Sequence, residues 1–268
     1  MLLNNIEFPD EPIYSTSTQT KANSMALVCV FSRDLCFEYH VRFIESLLKS
    51  NHNNRIHLIA ICNGTSKQTA DMIYKKCTDV DFNCSVYQFK ENYFKMYPWK
   101  AALLKYADNF EWIFFADDDF VFDVFNWDDY FDCIAKNKDD PAFAGAGWTH
   151  YVHFNTIQNR INLKKLKWWY EKVVIAPNNQ PVINFIYGYF GVYNKNILNK
   201  IDFPQLWLCQ LEVDIKDLCG DDYWLGLMFT NLGYRTVNIP INKTYGHNSH
   251  PYLDKEHKLL SIPDNVEW

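Results

Sequence analysis

The sequence predicts an α/β fold, with a mostly parallel central sheet flanked by helices in a single domain. Near-continuous apolar runs alternate with segments of helical periodicity through the first half, which is typical of parallel strands covered on both faces. The 268 residues are 48% apolar and include 20 Phe, 17 Tyr and 9 Trp, which is enough for a sizeable core. We therefore expect strand ends that meet along one rim of a well-buried sheet.

The first half of the predicted domain takes in residues 25–125 and alternates strand with helix. Its strands are short apolar runs, and its helices place apolar residues three and four positions apart. In chain order the elements are strand 26–31, helix 36–49, strand 56–62, helix 66–77, strand 85–89, helix 98–107 and strand 112–116. This order predicts four parallel strands whose carboxyl ends form a nucleotide-binding type of rim.

The second half, residues 126–268, is less regular. A helix is predicted over 128–137, and strands or strand-like loops over 142–148 and 180–193. The interval 149–179 is aromatic and basic, and two interpretations remain open. It is either a core helix with a basic outer face or a mobile lid whose aromatic rings stack on a sugar.

Residues 1–24 precede the predicted domain of residues 25–268. They contain Pro9, Pro12 and a Ser/Thr/Gln string with little apolar periodicity. Such a composition predicts an extended arm or a flexible leader.

Charge and cysteine usage narrow the classes of function. A formal charge of −6 and a pI near 5.7 argue against a nucleic-acid partner, which needs a positive face. The eight Cys form no CxxC pair, and several lie inside apolar runs, where a thiol acts as a small hydrophobe. No apolar run reaches membrane-spanning length. We expect a soluble, cytoplasmic protein without an integral membrane segment.

Three consecutive carboxylates, Asp117, Asp118 and Asp119, follow the strand 112–116. Like charges so close together need a positive partner, and a divalent cation is the simplest one. Mn²⁺ and Mg²⁺ prefer hard oxygen ligands and complete their shells with water and phosphate oxygens. A solvated turn is the alternative for an Asp run. The apolar residues on both sides of the triplet favour a metal site that binds a nucleoside diphosphate.

Three later segments carry candidate site residues. Gly188 and Gly191 flank Tyr189-Phe190 and suit either close backbone approach to a ligand or a structural turn. Asp221 and Asp222 precede a helix-like run and are either catalytic acids or helix caps. His247 is a candidate metal ligand, although a lone His is usually structural.

In this order, the segments resemble the GT-A-fold glycosyltransferases. Residues 221–226 (DDYWLG) and 231–233 (NLG) are similar to the EDVYxG...LG segment of β1,3-galactosyl-, N-acetylglucosaminyl- and fringe-type transferases. Residues 93–100 (YFKMYPWK) and 117–122 (DDDFVF) are similar to their YFNLTLK...TDDDVF run. Family-two-like inverting transferases are also similar. The resemblance covers most of residues 26–250.

The resemblance implies a metal-dependent enzyme that moves a sugar from a nucleoside diphosphate, by default UDP, to an acceptor hydroxyl with inversion. Asp119 and Asp117 would hold Mn²⁺ or Mg²⁺, with His247 as a further ligand and His250 in reserve. Asp222 would act as the general base, with its pKa raised by burial and by Asp221. The acceptor would be a glycan, a glycolipid or a glycoprotein.

Other residues of the predicted rim are assigned to the substrates. The donor contacts expected are Asp118, Ser32, Arg33, Asn63 and Lys100, and the acceptor or sugar contacts are Gly188, Tyr189, Trp148 and Trp168. A sugar-phosphate nucleotidyltransferase is the first alternative, but the segment after the first strand has no phosphate-binding glycine. A non-catalytic carbohydrate-binding module and a metal-dependent phosphatase or nuclease are the others.

Overall fold

A computed structural model describes residues 8–16, 24–52, 54–93, 95–122, 125–153, 182–200, 225–226, 228–230 and 232–239. The strands are β1 (Tyr14–Ser15), β2 (Met25–Ser32), β3 (Ile56–Asn63), β4 (Cys84–Phe89), β5 (Trp112–Asp117), β6 (Phe143–His153), β7 (Val182–Asn194) and β8 (Arg235–Asn238). The helices are α1 (Phe37–Lys49), α2 (Lys67–Asp79), α3 (Met96–Ala101), α4 (Trp127–Asn137) and α5 (Lys195–Leu198). A 3₁₀ turn, Asp34–Cys36, precedes α1, and a π-helical turn, Ala102–Tyr106, follows α3.

The strands form one sheet in the order β1-β4-β3-β2-β5-β7-β6-β8. β4, β3, β2 and β5 are parallel to one another. β7 is antiparallel to both β5 and β6, so β6 runs with β5, and β8 is parallel to β6. Six of the eight strands therefore share one direction, and the predicted mostly parallel α/β fold is confirmed.

Alternating residues of the central strands are buried on opposite faces of the sheet. In β2, Val28 packs with α3 and the π-helical turn, whereas Leu27 and Cys29 pack with α1, α2 and α4. Because both faces are covered by helices, the strand interiors are mostly apolar. Polar groups are left to the strand ends.

Within the predicted leader, residues 8–16 lie as an extended arm on the edge of the sheet. Tyr14 and Ser15 pair antiparallel with β4, and Thr16 donates its backbone N–H to the Cys84 carbonyl at 3.0 Å. The Tyr14 ring stacks on Tyr74 of α2. The arm therefore adds an outer strand that the sequence patterns did not predict.

The other differences lie at element ends and in the second half. α3 begins two residues before Pro98, which therefore sits in the first helical turn, where no N–H is needed. β6 continues to His153, so residues 149–153 are strand. From the sequence, either a helix or a lid was expected there. The rest of that interval, 154–179, lies outside the described residues. β8 is short and half-exposed, which leaves a weak apolar pattern.

In the part of the chain that the structure describes, no helix is both long enough and apolar enough to cross a membrane. Six cysteines of the same part are free thiols, namely Cys29, Cys36, Cys62, Cys77, Cys84 and Cys133.

Candidate functional site

The carboxyl ends of β2, β3 and β5 bring several predicted residues to one rim. Ser32 is the register partner of Asn63, and Val30, two residues before Ser32, is the register partner of Asp117. The three strands are neighbours in the sheet, and parallel strands end at the same edge. The sequence expectation that these strand ends converge is therefore met.

The carboxylate triplet forms a tight turn anchored on both sides. The Phe120 N–H donates to the Asp117 carbonyl at 3.2 Å, and Phe122 donates its N–H to the buried hydroxyl of Ser46 in α1 at 3.0 Å. The ring of Phe120 stacks on Phe190 of β7 with centroids 3.5 Å apart. The triplet is thus held by the core and is not a loose solvated loop.

Asp118 is turned toward the protein. Its Oδ2 accepts the Ser32 backbone N–H at 3.0 Å and lies 2.9 Å from Nε2 of His40. His40 is fully buried in α1, with its ring edge-on to Phe31. A carboxylate beside this nitrogen favours the tautomer that carries the proton on Nε2. Asp118 therefore fixes the turn to β2 and α1, and its predicted donor contact stays a prediction.

Asp117 is bound differently, by an ion pair with Lys95. Each of the two side chains is 28% exposed, so water and solutes reach the pair. The Lys95 ammonium also lies over the ring of Trp99, 4.9 Å from its centroid, and Trp99 stacks on Phe115 of β5. Of the two lysines at positions 95 and 100, Lys95 is the one seen to pair with the triplet. Lys100 is a half-buried residue of α3, and its donor contact is untested.

Asn63 positions the segment that leads to Lys95. It is buried, donates from Nδ2 to the Asn92 side chain at 2.9 Å, and accepts the Tyr93 N–H at 3.0 Å. Gly64 follows with φ +73°, and a Cβ there would lie 2.5 Å from the Asn92 nitrogen. Both the oxygen and the nitrogen of the Asn63 side-chain amide thus have protein partners. The predicted contact of Asn63 with the sugar donor stays a prediction.

Arg33 occupies a strained position at the end of β2. Its φ is 70° and its ψ is 118°, outside the regions that L-residues favour. Burial raises the pKa of the nearby Cys36 thiol to about 11, with the Asp118 carboxylate acting in the same direction and Arg33 against it. Arg33 directly follows β2, and its predicted donor contact stays a prediction.

The predicted glycine segment lies in an irregular part of the β6–β7 ladder. Gly147 pairs with Gly191, but Thr149 pairs with Ile186, so residues 187–190 of β7 stand opposite Trp148 alone. This irregularity places Gly188, Tyr189 and Trp148 at one level of the sheet, beside the β5 strand that ends in Asp117. Trp148 is 37% exposed, which leaves ring surface accessible for stacking.

The remaining predicted residues, Asp221, Asp222, Trp168, His247 and His250, lie outside the described part of the chain. Just after the acidic pair, residues 225–226 and 228–230 are helical, and Leu225 and Phe229 belong to the core cluster beneath the sheet. The Phe229 ring stacks on Tyr193 of β7. Residues 225–226 and 228–230 of the expected helix are thus helical, and Leu225 and Phe229 anchor them to the core.

The donor set of the triplet suits a hard divalent cation. Asp117 and Asp119 are the first and last carboxylates of the triplet, and both are partly buried. Mn²⁺ or Mg²⁺ commonly takes one or two such ligands. Within the described ranges, no three His, Cys, Asp or Glu residues are grouped as a complete metal cage. Mn²⁺ and Mg²⁺ bound by so few carboxylates take their further oxygens from water and phosphate.

Sequence reasoning missed His40 and Lys95. His40 lies on the apolar face of α1, within the predicted helix 36–49. A titratable residue at such a position needs a buried partner, which was the available signal. Lys95 belongs to the same YFKMYPWK segment as Lys100, but residue spacing alone does not show which lysine points at the turn.

No protein-family model and no curated protein matches this sequence. Among solved structures, one that matches is a mannosyltransferase, PcManGT from Pyrobaculum calidifontis, in complex with GDP-Man and Mn²⁺. The TM-score is 0.52 at 12% identity, and the match covers 89% of this chain but 59% of that one. This chain therefore spans less than two thirds of that protein's length.

Two further matches have lower scores. S. aureus TarS 1-349 in complex with UDP-GlcNAc matches with a TM-score of 0.49 at 14% identity, over 83% of this chain and 57% of that one. Core-mannan synthase A from Aspergillus fumigatus, in its Mn/GDP form, matches with 0.49 at 8% identity, over 81% and 72%. The fold assignment depends on the mannosyltransferase match and on the sheet topology. The chain therefore has the mostly parallel α/β fold of the GT-A glycosyltransferases.

Proposed function

We propose that this chain is a metal-dependent glycosyltransferase that moves a sugar from a nucleoside diphosphate to an acceptor hydroxyl, with inversion. The observation that carries the proposal is the carboxylate turn, which core contacts hold rigidly at the carboxyl rim of β2, β3 and β5. The GT-A fold and the order of the sequence motifs support the same assignment. The acceptor proposed is a glycan, a glycolipid or a glycoprotein.

Asp119 and Asp117 are the proposed ligands of Mn²⁺ or Mg²⁺, with His247 as a further ligand. The ion, when bound, neutralises negative charge on the departing diphosphate. Asp118, held by Ser32 and His40, keeps the other two carboxylates in place. Because the turn is preformed, its oxygens need little rearrangement to bind the ion.

Asp222 is the proposed general base. It would accept the proton of the acceptor hydroxyl as that oxygen attacks the anomeric carbon from the face opposite the diphosphate. Attack from that face inverts the anomeric configuration. Arg33 and Lys100 are the proposed cationic contacts of the donor, and Trp148 and Tyr189 the proposed aromatic contacts of the sugars.

The proposal is tested with a panel of UDP- and GDP-sugars, with and without Mn²⁺, in the presence of mixed saccharide acceptors. Metal-dependent release of UDP or GDP is the expected result. Release of pyrophosphate from a nucleoside triphosphate and a sugar phosphate would identify a nucleotidyltransferase instead. Sugar binding without release from any donor would favour a carbohydrate-binding module.

The metal ligand assignment has its own test. Asp119→Ala should weaken Mn²⁺-dependent binding of UDP or GDP by about tenfold or more, since one anionic ligand is lost. Isothermal titration calorimetry with and without Mn²⁺ measures this loss. Asp132→Ala, which removes an exposed carboxylate of α4, is the control. Equal manganese dependence in Asp119→Ala and the parent protein would remove Asp119 from the metal site.

A further inference from the structure

The carboxylate proposed to bind metal already has a cationic partner in the protein. Asp117 forms an ion pair with Lys95, while the neighbouring Asp118 is tied to the Ser32 N–H and to buried His40. The two carboxylates therefore differ. Asp118 is fixed by a backbone N–H and a buried ring, which cannot move away. Asp117 is held by the partly exposed Lys95 side chain, which can move away.

Lys95 is held in position by its surroundings. Asn63 fixes the preceding segment through Asn92 and Tyr93, so the backbone that carries Lys95 is tied to the end of β3. The ammonium also lies 4.9 Å from the centroid of the buried Trp99 ring. An aromatic face at this distance attracts a cation whether or not Asp117 is paired. Lys95 can therefore release Asp117 and remain at the rim.

We propose that Lys95 and the divalent cation compete for Asp117, and that Lys95 turns to the diphosphate when metal and nucleotide bind together. This inference depends on the proposed function, because it takes Asp117 as a metal ligand. A metal ion that binds alone must displace the Lys95 ammonium from Asp117. The two cations then lie side by side and repel each other. A diphosphate supplies anionic oxygens to both cations at once.

The consequence is a coupling between two binding events. Metal binding to the free protein is weak because it breaks an ion pair and brings two cations together. Nucleotide binding then favours metal binding, and by linkage the metal favours nucleotide binding to the same degree. Lys95 thus makes the site selective for a metal–nucleotide pair over either component alone.

The first experiment measures Mn²⁺ binding to the free protein by electron paramagnetic resonance of the unbound ion. Lys95→Met should bind Mn²⁺ about tenfold more tightly than the parent, since a competing and repelling charge is removed. Lys95→Arg should stay weak. Lys105→Met is the matched control, because Lys105 pairs with Asp10 on the arm and should leave Mn²⁺ affinity unchanged.

If Lys95→Met bound Mn²⁺ as tightly as the parent protein or more weakly, the proposed competition between Lys95 and the cation for Asp117 would be wrong. Lys95→Gln repeats the measurement with a polar side chain, so that a folding defect of one variant does not decide the result. In an Asp117→Asn background, Lys95→Met should tighten binding much less, because only the charge repulsion is then removed. Tightening as large as in the parent background would show that the lysine does not compete for Asp117.

The second experiment repeats the titration with saturating UDP or GDP. The nucleotide that binds should tighten Mn²⁺ binding strongly in the parent protein and about tenfold less in Lys95→Met. Equal tightening in both would overturn the transfer of Lys95 to the diphosphate. Failure of both nucleotides to bind would overturn that transfer and the proposed donor class together, whereas the competition is decided by the first experiment alone.

Discussion

The parallel strands β3, β2 and β5 and the antiparallel pair β6–β7 belong to one sheet but are built differently. The parallel strands are filled on both faces by large apolar side chains, and most of their polar groups collect at the carboxyl ends. In β6–β7 the backbones approach so closely that a Cβ on Gly147 would lie 2.8 Å from the Phe190 carbonyl oxygen. Substitutions of the rim carboxylates should therefore alter binding or turnover, whereas substitutions of the closely packed glycines of β6–β7 should alter stability.

The largest effect is expected from the proposed base. Asp222→Asn should lower the turnover number by about 10² to 10⁴-fold, because an amide cannot accept the acceptor proton. Donor affinity and the free energy of unfolding should stay close to those of the parent. Steady-state kinetics with the donor found active, together with calorimetry, measures both. Unchanged turnover in Asp222→Asn would exclude this residue as the base.

His57 is an exception to the apolar interior of the parallel strands. It lies near the start of β3, is buried, and is 3.0 Å from the Ser85 hydroxyl. Burial lowers its pKa from 6.5 to about 4. Between these values the unfolded chain binds the proton more readily, so the free energy of unfolding should fall as the pH falls through this range.

The expected loss at His57 is about 3 kcal/mol between pH 7.5 and pH 4. Urea unfolding at the two pH values measures it, and His57→Gln, which does not titrate, is the comparison. The parent should lose about 3 kcal/mol more than this variant. The same loss in both proteins would mean that other groups cause the acid sensitivity.

Gly147→Ala tests the close packing of β6 against β7. The new methyl group would also lie 2.6 Å from Cγ2 of Ile186, so the strands must separate or the side chain must move. We expect a loss of about 2 kcal/mol in the free energy of unfolding. Gly233→Ala is the comparison. A Cβ there meets nothing within 4 Å, but the φ of +77° strains an Ala, so its cost is backbone strain without crowding. A smaller loss at Gly147 than at Gly233 would contradict the comparison.

The smallest effect is expected at His40, which is both buried and part of the rim. His40→Leu removes one hydrogen bond of Asp118 and leaves the one from Ser32, so the unfolding free energy should fall by about 1 kcal/mol. His40→Gln, which retains a donor, should recover part of this loss. Denaturant titration of the three proteins gives the result. Equal stability of the Leu variant and the parent would show that the contact adds nothing.

The fold was accessible from the sequence because burial on both faces leaves a strong pattern. The run 26–31 is apolar throughout and 56–62 is apolar apart from His57, and the order of such runs predicts a parallel sheet. The outer strands were missed for the opposite reason. β1 and β8 have two and four residues, and both are partly exposed, so apolar periodicity carries little information there.

The place of the carboxylates could be predicted from the sequence, because it follows from their residue type and the strand before them. Their orientation could not be predicted, because it depends on contact partners elsewhere in the chain. Three carboxylates after a buried strand predicted their place at the rim. Which carboxylate faces the protein, however, depends on His40, which is 78 residues away from Asp118 in the chain. Lys95 is a similar case, because its contact with Asp117 depends on Asn63 holding the intervening segment. Such long-range pairs leave no trace in local spacing.

The arm over residues 8–16 has a consequence for self-association. An uncovered outermost strand offers a row of backbone donors and acceptors to any passing chain. On β4, Val86 is already paired with Tyr14, and the Cys84 carbonyl already accepts the N–H of Thr16. Docking of a second molecule along this stretch would first have to peel the arm away, together with its ring contact to Tyr74. The arm thus occupies the edge of β4 that a neighbouring copy would otherwise meet.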